Sequence, residues 1–287
     1  MRIATCRRGH ETQAICLDSD GSWALLPWAD VGALLTAADD SDVQWQELVA
    51  STPDAGRVEP DELEFAPVVP KPSKIVCVGL NYAKHITEMG RELPEFPTLF
   101  AKFPESLIGS TDDIQIPPES DRVDWEAELA VIIGRRVRRA HPGEAERHIA
   151  GFTVFNDVTM RDWQYRSPMW LQGKTFEASS PLGPALVGPE ELDGGTRPAL
   201  EITTEVDGHV VQSATTDDLV FEPPMLVAYI STILTLNPGD VIATGTPGGV
   251  GHARKPPMYL ALGQVLATSI SDVGRLENRG VVETVKK

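Results

Sequence analysis

Glu126 and Glu128 stand two residues apart in VDWEAELAVIIG (123–134), a run that otherwise reads as a buried strand. Strand alternation puts Trp125, Ala127, Leu129, Val131 and Ile133 on one face and Asp124, Glu126, Glu128, Ala130 and Ile132 on the other. The second face begins acidic and ends apolar, which places the two glutamates at the mouth of a covered region. Carboxylates about 7 Å apart on one face repel unless positive charge lies between them. A divalent cation is the simplest such charge; a solvated strand end is the plain alternative. GFTVFNDVTMRDWQ (151–164) offers a third oxygen ligand, because an apolar strand ends at Asn156-Asp157 and a helix with a capping pattern, Thr159 to Asp162, follows. Asp157 is equally a common residue type for a helix-entry turn. Three carboxylates with no His or Cys cluster nearby favour Mg²⁺ or Mn²⁺ over zinc.

A second group of candidates lies in IVCVGLNYAKHITEMG (75–90), a strand ending at Gly79 followed by a short helical pattern that Gly90 can close. His85 and Glu88, three residues apart, can hydrogen-bond on a helix face, orienting the imidazole and raising its basicity as a general base needs. An exposed ion pair is the other reading. RELPEFPTLF beyond it, with two prolines and mixed charge, suits a mobile loop or lid. Lys174, in LQGKTFEASSPLGP, is either a site cation or a solvated loop lysine. Arg161 and Gln164 share a helical face one turn beyond Asp157. ATGTPGGVG (243–251) lacks the Lys-Ser/Thr of a P-loop and the GxGxxG of a dinucleotide site. Its backbone N–H groups and a threonine hydroxyl could instead hold a small carboxylate.

The elements that must position these residues are mostly strands. KIVCVG, WEAELAVIIG, GFTVF, DVIATG and the C-terminal QVLATSISDVGRLENRGVVETV carry strand patterns, and ALEITTEVDGHVVQ alternates on both sides of Asp207-Gly208, a hairpin signal. PPMLVAYISTIL (223–234) reads as a helix with proline in its first turn. Strands joined by hairpins predict an α+β architecture with mixed sheets, not a doubly wound layer. The proline-rich stretch APVVPKPSK (66–74) is a stiff connector. It divides a small N-terminal α+β domain, 1–66, from a larger domain, 67–287. The small domain holds a strand at Met1–Thr5, a turn at DSDG and helical patterns near Val31–Ala38 and Trp45–Val49.

The chain has 287 residues, 41% of them hydrophobic, enough for a sizeable core. A net charge of −17 should repel phosphate backbones and anionic lipid, so neither nucleic acid nor membrane is an expected partner. The basic cluster GRRVRR (134–139) reads as a solvated turn after a strand. Three cysteines without CxxC spacing argue against a disulfide framework and a thiolate metal site. With no signal peptide or spanning run evident, a reducing, cytoplasmic setting is expected.

Taken together, GLNYAKHITEMG, PTLFAKFPESLIG, DWEAELAVIIG, GFTVFNDVTMRDWQ, GKTFEASSPLGPALV, EVDGHVVQ and LNPGDVIATGTPGGVG resemble the fumarylacetoacetate hydrolase family in content and order, over about residues 72–285. The resemblance implies a mixed β-roll or β-sandwich fold of the family's C-terminal type, usually a homodimer. It implies that Glu126, Glu128 and Asp157 bind Mg²⁺ or Mn²⁺, that His85 and Glu88 form a dyad on a closing lid, and that Lys174 is the site lysine. Arg161 and Gln164 would contact the acid end of a small 2-oxo acid, and Thr246 with Gly245 would help hold it. The implied chemistry is cleavage of a C–C bond in an acylpyruvate-type 2,4-dioxo acid by activated water. Decarboxylation of oxaloacetate, decarboxylation or isomerisation of a 2-oxo-diene diacid, and a non-catalytic metal-stabilised binding module are the alternatives.

Overall fold

The computed structural model describes residues 1–53, 55–59 and 62–284. Its frame is an eleven-stranded sheet. From one edge the strands run Arg57–Val58, Trp23–Leu25, Glu11–Leu17, Arg2–Arg8, Ser180–Val187, Ile149–Asn156, Ala127–Ile133, Val241–Ala243, Ile75–Gly79 and Thr98–Lys102, with Leu107–Ile108 paired off the Ser180–Val187 strand. A five-stranded sheet, in the order His209–Thr215, Glu201–Val206, Val265–Ile270, Gly274–Val282 and Ile114–Ile116, packs beside it. The α+β reading with few helices holds. The expected hairpin at Asp207-Gly208 forms with both residues at positive φ, 50° and 77°, as a two-residue turn between right-twisted strands requires. The helix Pro223–Ile233 starts on its prolines as expected.

The first 66 residues are not set apart from this frame. Arg2–Arg8 hydrogen-bonds antiparallel to Ser180–Val187, and the helices Val31–Asp40 and Trp45–Ala50 pack Leu34, Leu35 and Trp45 in one apolar cluster with Cys77, Ala130 and Phe155. The strand Glu11–Leu17, for which the sequence reading had no element, completes the turn back. GRRVRR is also more tied down than a solvated turn: Arg138 donates to the Ser231 and Thr232 carbonyls, and Arg135 pairs with Asp42. The three cysteines are free and buried. Among the described residues no helix is long and apolar enough to cross a membrane.

Strand alternation holds from Ala127 onward, with Ala127, Leu129, Val131 and Ile133 in one core cluster and Ala130 and Ile132 in another. The strand is interrupted at Trp125–Glu126, and a separate short strand, Val123–Asp124, pairs with Thr159–Met160. Thr159 therefore does not cap a helix. Its hydroxyl donates to the Asp157 carbonyl, and the short helix Arg161–Gln164 starts two residues later.

Beside the site, the chain turns from the strand Ile75–Gly79 into the helix Ala83–Glu88 through Leu80, a non-glycine residue at φ 57°. Asn81, between that strand and helix, is buried: its amide donates to the Phe221 and Thr244 carbonyls and its Oδ1 accepts from the Phe221 N–H. Asn81→Ala should strand three buried backbone groups and lower stability by about 2–4 kcal/mol. A urea midpoint within error of wild type would show that this strap carries no load.

Candidate functional site

The ladder between Ala127–Ile133 and Ile149–Asn156 ends at the pair Ala127 and Asn156. Past it, the Asn156 side-chain oxygen accepts the Glu126 N–H at 2.9 Å, and the Asp157 N–H donates to the Glu126 carbonyl at 2.8 Å. Glu126 and Asp157 thus leave adjacent strand ends side by side, with Glu128 one step inside. Oxygen atoms of Glu126, Glu128 and Asp157 lie within 4.8 Å of one another, and all three residues are buried. The acidic convergence expected from the sequence is present.

The cations around this triad are close. Lys174, on the short helix Leu171–Lys174, is buried, so the solvated-loop alternative does not hold; its ammonium donates to Glu126 Oε2 at 2.6 Å and to Asp157 Oδ2 at 2.8 Å. Burial alone would lower its pKa, but Asp157 and Glu126 outweigh burial and hold it above the ordinary lysine value. Lys102, at the end of Thr98–Lys102, donates to Asp157 Oδ1 at 2.8 Å and to the Lys174 carbonyl. Asp157 is pushed up by burial, yet Lys102 and Lys174 bring it below the usual aspartate value. Arg161 places Nη2 2.7 Å from Glu126 Oε1 as an ion pair, donates from Nη1 to Gln164 Oε1 at 2.9 Å, and donates from Nε to Asp124 Oδ2 at 2.8 Å.

Glu128 has the least compensation. Burial first, then Asp157 and Glu126, push its pKa well above the usual range, against Lys174 and the Gly245 N–H, which donates to Glu128 Oε2 at 2.8 Å. Four buried carboxylates, counting Asp124, face three buried cations, leaving one negative charge in excess at formal ionisation. A dication would reverse that sign and make the site attractive to an anion. The donor set is all carboxylate oxygen, and Lys174 already stands where two of the three residues turn positive charge toward themselves. The residues present therefore fit a hard divalent ion.

A cavity of about 250 Å³ opens from Glu126 and Glu128 and is also lined by His85, Arg161, Gln164, Lys174, Thr246 and His252. Thr246 reaches the wall with its hydroxyl accepting from Gln212 Nε2 at 2.9 Å. Gly245, expected to help hold substrate, aims its N–H at Glu128 instead. It sits at φ 101° with the Val78 carbonyl 2.9 Å from where a Cβ would be, so the close backbone passage requires glycine.

His85 and Glu88 do not form the expected hydrogen bond. Both face Gly248, whose hypothetical Cβ would stand 3.4 Å from His85 Nδ1 and 3.3 Å from Glu88 Oε2. His85 lines the cavity, whereas Glu88 is exposed at its outer side. Burial lowers the His85 pKa below its ordinary 6.5, more than Glu88 and Glu126 raise it, so the imidazole is a weaker base than the dyad reading required.

Lys102, Asp124 and His252 were not read from the sequence as site residues. A lysine between apolar residues at a strand end, FAKF, was the available signal for the first. Asp124 shared the acidic face of Glu126 and Glu128, but nothing local marks His252, because its partner Asp124 is distant along the chain.

A family model, the fumarylacetoacetate (FAA) hydrolase C-terminal domain, matches residues 74–281. Over 222 residues, 77% of this chain and 70% of the relative, the sequence is 44% identical to the human mitochondrial oxaloacetate tautomerase FAHD2A. The solved fumarylacetoacetate hydrolase of psychrophilic Exiguobacterium antarcticum superposes with a TM-score of 0.85 at 30% identity, and the 5-carboxymethyl-2-hydroxymuconate delta-isomerase of Mycobacterium smegmatis with 0.79 at 30%; each covers 99% of this chain and 100% of the other.

Proposed function

Since the chain belongs to the fumarylacetoacetate hydrolase family, we propose that it is a Mg²⁺- or Mn²⁺-dependent enzyme acting at the carbon beside the carbonyl of a short 2-oxo acid, with keto–enol interconversion of oxaloacetate as its leading reaction. The observation that carries this reading is the convergence of Glu126, Glu128 and Asp157, the first two of them lining a cavity whose wall also presents Arg161 and Gln164. About 250 Å³ suits a small acid better than a bulky one, since drug-sized ligands occupy cavities of roughly 300–1,000 Å³. The 44% identity to a protein named for oxaloacetate tautomerisation supports the same substrate.

A divalent ion held by Glu126, Glu128 and Asp157 would supply Lewis acidity toward the 2-oxo group. Lys174 keeps a full positive charge beside the oxygen that becomes negative as the neighbouring C–H proton leaves. Arg161 is fixed by Asp124, Glu126 and Gln164 and meets an acid end of the substrate without reorganising. Its hold on Gln164 Oε1 leaves the Gln164 amide nitrogen free to donate. His85, neutral through the physiological range because burial depresses its pKa, accepts and returns the proton.

Hydrolysis of acylpyruvates is the second reading, favoured by the shared approach of His85 and Glu88 to Gly248, where the two could act on one water. We further propose a homodimer. A reducing compartment, rather than the cytoplasm as such, is the setting we retain, in view of the mitochondrial relative and the three free cysteines.

Ultraviolet decay of enol-oxaloacetate, product analysis with acetylpyruvate and CO₂ release would be followed in Mg²⁺ and in EDTA. We expect Mg²⁺-dependent acceleration of enol decay. His85→Ala should slow it about a hundredfold and abolish an acid limb that lies below pH 6.5 in the wild type. Cleavage of acetylpyruvate with no effect on enol-oxaloacetate would sink the tautomerase reading in favour of the hydrolase. Binding of oxalate without any turnover would leave only a binding module.

A further inference from the structure

Two of the six histidines line the cavity, and only His85 has been given a task. His252 sits on the turn Gly251–Ala253, and that turn is pinned from beneath. The Gly251 N–H donates to Asp124 Oδ1 at 2.7 Å and the His252 N–H to Asp124 Oδ2 at 2.9 Å, and the same Oδ2 accepts the Arg161 Nε–H. One buried carboxylate thus fixes His252 relative to Arg161. The ring is held as well. His252 Nδ1 lies 2.8 Å from the Tyr259 hydroxyl, and the Tyr165 ring lies alongside at 5.4 Å between centroids.

These contacts leave Nε2 as the histidine's open polar atom, with no hydrogen-bond partner among the described residues. When the Tyr259 hydroxyl donates to Nδ1, the ring proton resides on Nε2 and can be donated. After burial, the charge that acts most on His252 is Arg161, whereas on His85 it is Glu88, with Glu126 next and Arg161 and Arg91 behind them. His252 also shares Asp124 with Arg161, so it is tied to the arginine directly. Burial and Arg161 hold the His252 imidazole neutral, and Tyr259 is pushed above its ordinary value and stays protonated, so the donating arrangement persists through neutral pH.

We propose that His252, backed by the Tyr259 hydroxyl, donates a hydrogen bond to the far carboxylate of a short 2-oxo dicarboxylate and makes the site select it over an equally long 2-oxo monocarboxylate. The proposal rests on the 2-oxo acid reading above and adds the specificity that reading lacks. A ligand chelating through its first carboxylate and 2-oxo oxygen at the triad would extend its other end toward Arg161 and His252. There a methyl group would leave polar donors unmatched, while a carboxylate would match them.

The test compares oxaloacetate with 2-oxobutyrate, which carries a methyl group where oxaloacetate has its second carboxylate. Binding to the Mg²⁺-loaded full chain can be read within seconds from tryptophan fluorescence, since Trp170 lines the cavity. His252→Leu should weaken oxaloacetate about tenfold or more and leave 2-oxobutyrate within twofold. His252→Gln, which keeps a donor, should recover part of the loss, and Tyr259→Phe should show a smaller loss for oxaloacetate alone. Equal weakening of both ligands would mean that His252 only braces its turn and would overturn the proposal; so would unchanged affinity for both. A wild-type protein that binds neither acid would overturn the 2-oxo acid reading itself, a failure recognisable without any variant.

Discussion

In EDTA at neutral pH, Glu128→Gln should melt at or above the wild-type temperature, yet it should bind Mg²⁺ at least a hundredfold more weakly and lose about three orders of magnitude of turnover. The two halves of this result have one cause. Glu128 is buried beside Asp157 and Glu126, and its pKa is raised. A carboxyl whose folded pKa exceeds its unfolded value adds stability below the unfolded value, near 4.5, and that contribution disappears as pH rises through the folded pKa. Glutamine has no charge to bury and keeps an oxygen for the Gly245 N–H. The variant should therefore match the wild type in acid and gain on it as pH approaches neutrality. Adding Mg²⁺ should raise the wild-type melting temperature and leave the variant unmoved. Calorimetric scans at several pH values, with and without the ion, read both effects. Equal Mg²⁺ stabilisation of the two proteins would remove Glu128 from the ligand set.

Lys174→Met should give the opposite pattern. The ammonium pairs with Glu126 Oε2 and Asp157 Oδ2 in a buried setting, and removing it strands two carboxylates. Breaking a buried pair from one side costs about 3–5 kcal/mol. For a chain of this size that is a melting-temperature drop of roughly 6–20 °C in EDTA. Mg²⁺ should restore much of it, because the ion supplies the missing positive charge. It should also bind more tightly to the variant than to the wild type, since Lys174 no longer competes for the same oxygens. Turnover should still fall about a hundredfold for want of a cation beside the developing oxyanion. A destabilisation that is the same with and without Mg²⁺ would separate Lys174 from the ion's surroundings.

The acidic triad was legible because Glu128 obeys strand periodicity, Glu126 directly precedes the strand's first residue and Asp157 marks the end of an apolar run. These are short-range signals. What the sequence concealed comes from long-range closure. Lys102 meets Asp157 across 55 residues and Asp124 meets His252 across 128, and no local pattern encodes such meetings. The helix expected to begin at Thr159 shows how a local signal misleads. Thr159 and Met160 join Val123–Asp124 in a strand pair, and tertiary pairing overrides the cap. The expected hydrogen bond between His85 and Glu88 is absent for a related reason. Helical spacing brings two side chains to one face but does not decide which of them is buried, and burial sets the sign of the imidazole's shift. The boundary near residue 66 follows composition faithfully, yet composition does not reveal that the strand Arg2–Arg8 hydrogen-bonds into the larger sheet.

That pairing gives the N-terminal segment a structural consequence for the larger sheet. Stripped of Arg2–Arg8, the strand Ser180–Val187 would leave Ala185–Val187 without their partners on that side, and bare N–H and C=O groups invite another chain to add on. The N-terminal strands instead carry the sheet outward to an edge at Arg57–Val58, only two residues long, which offers an incoming chain little to pair with.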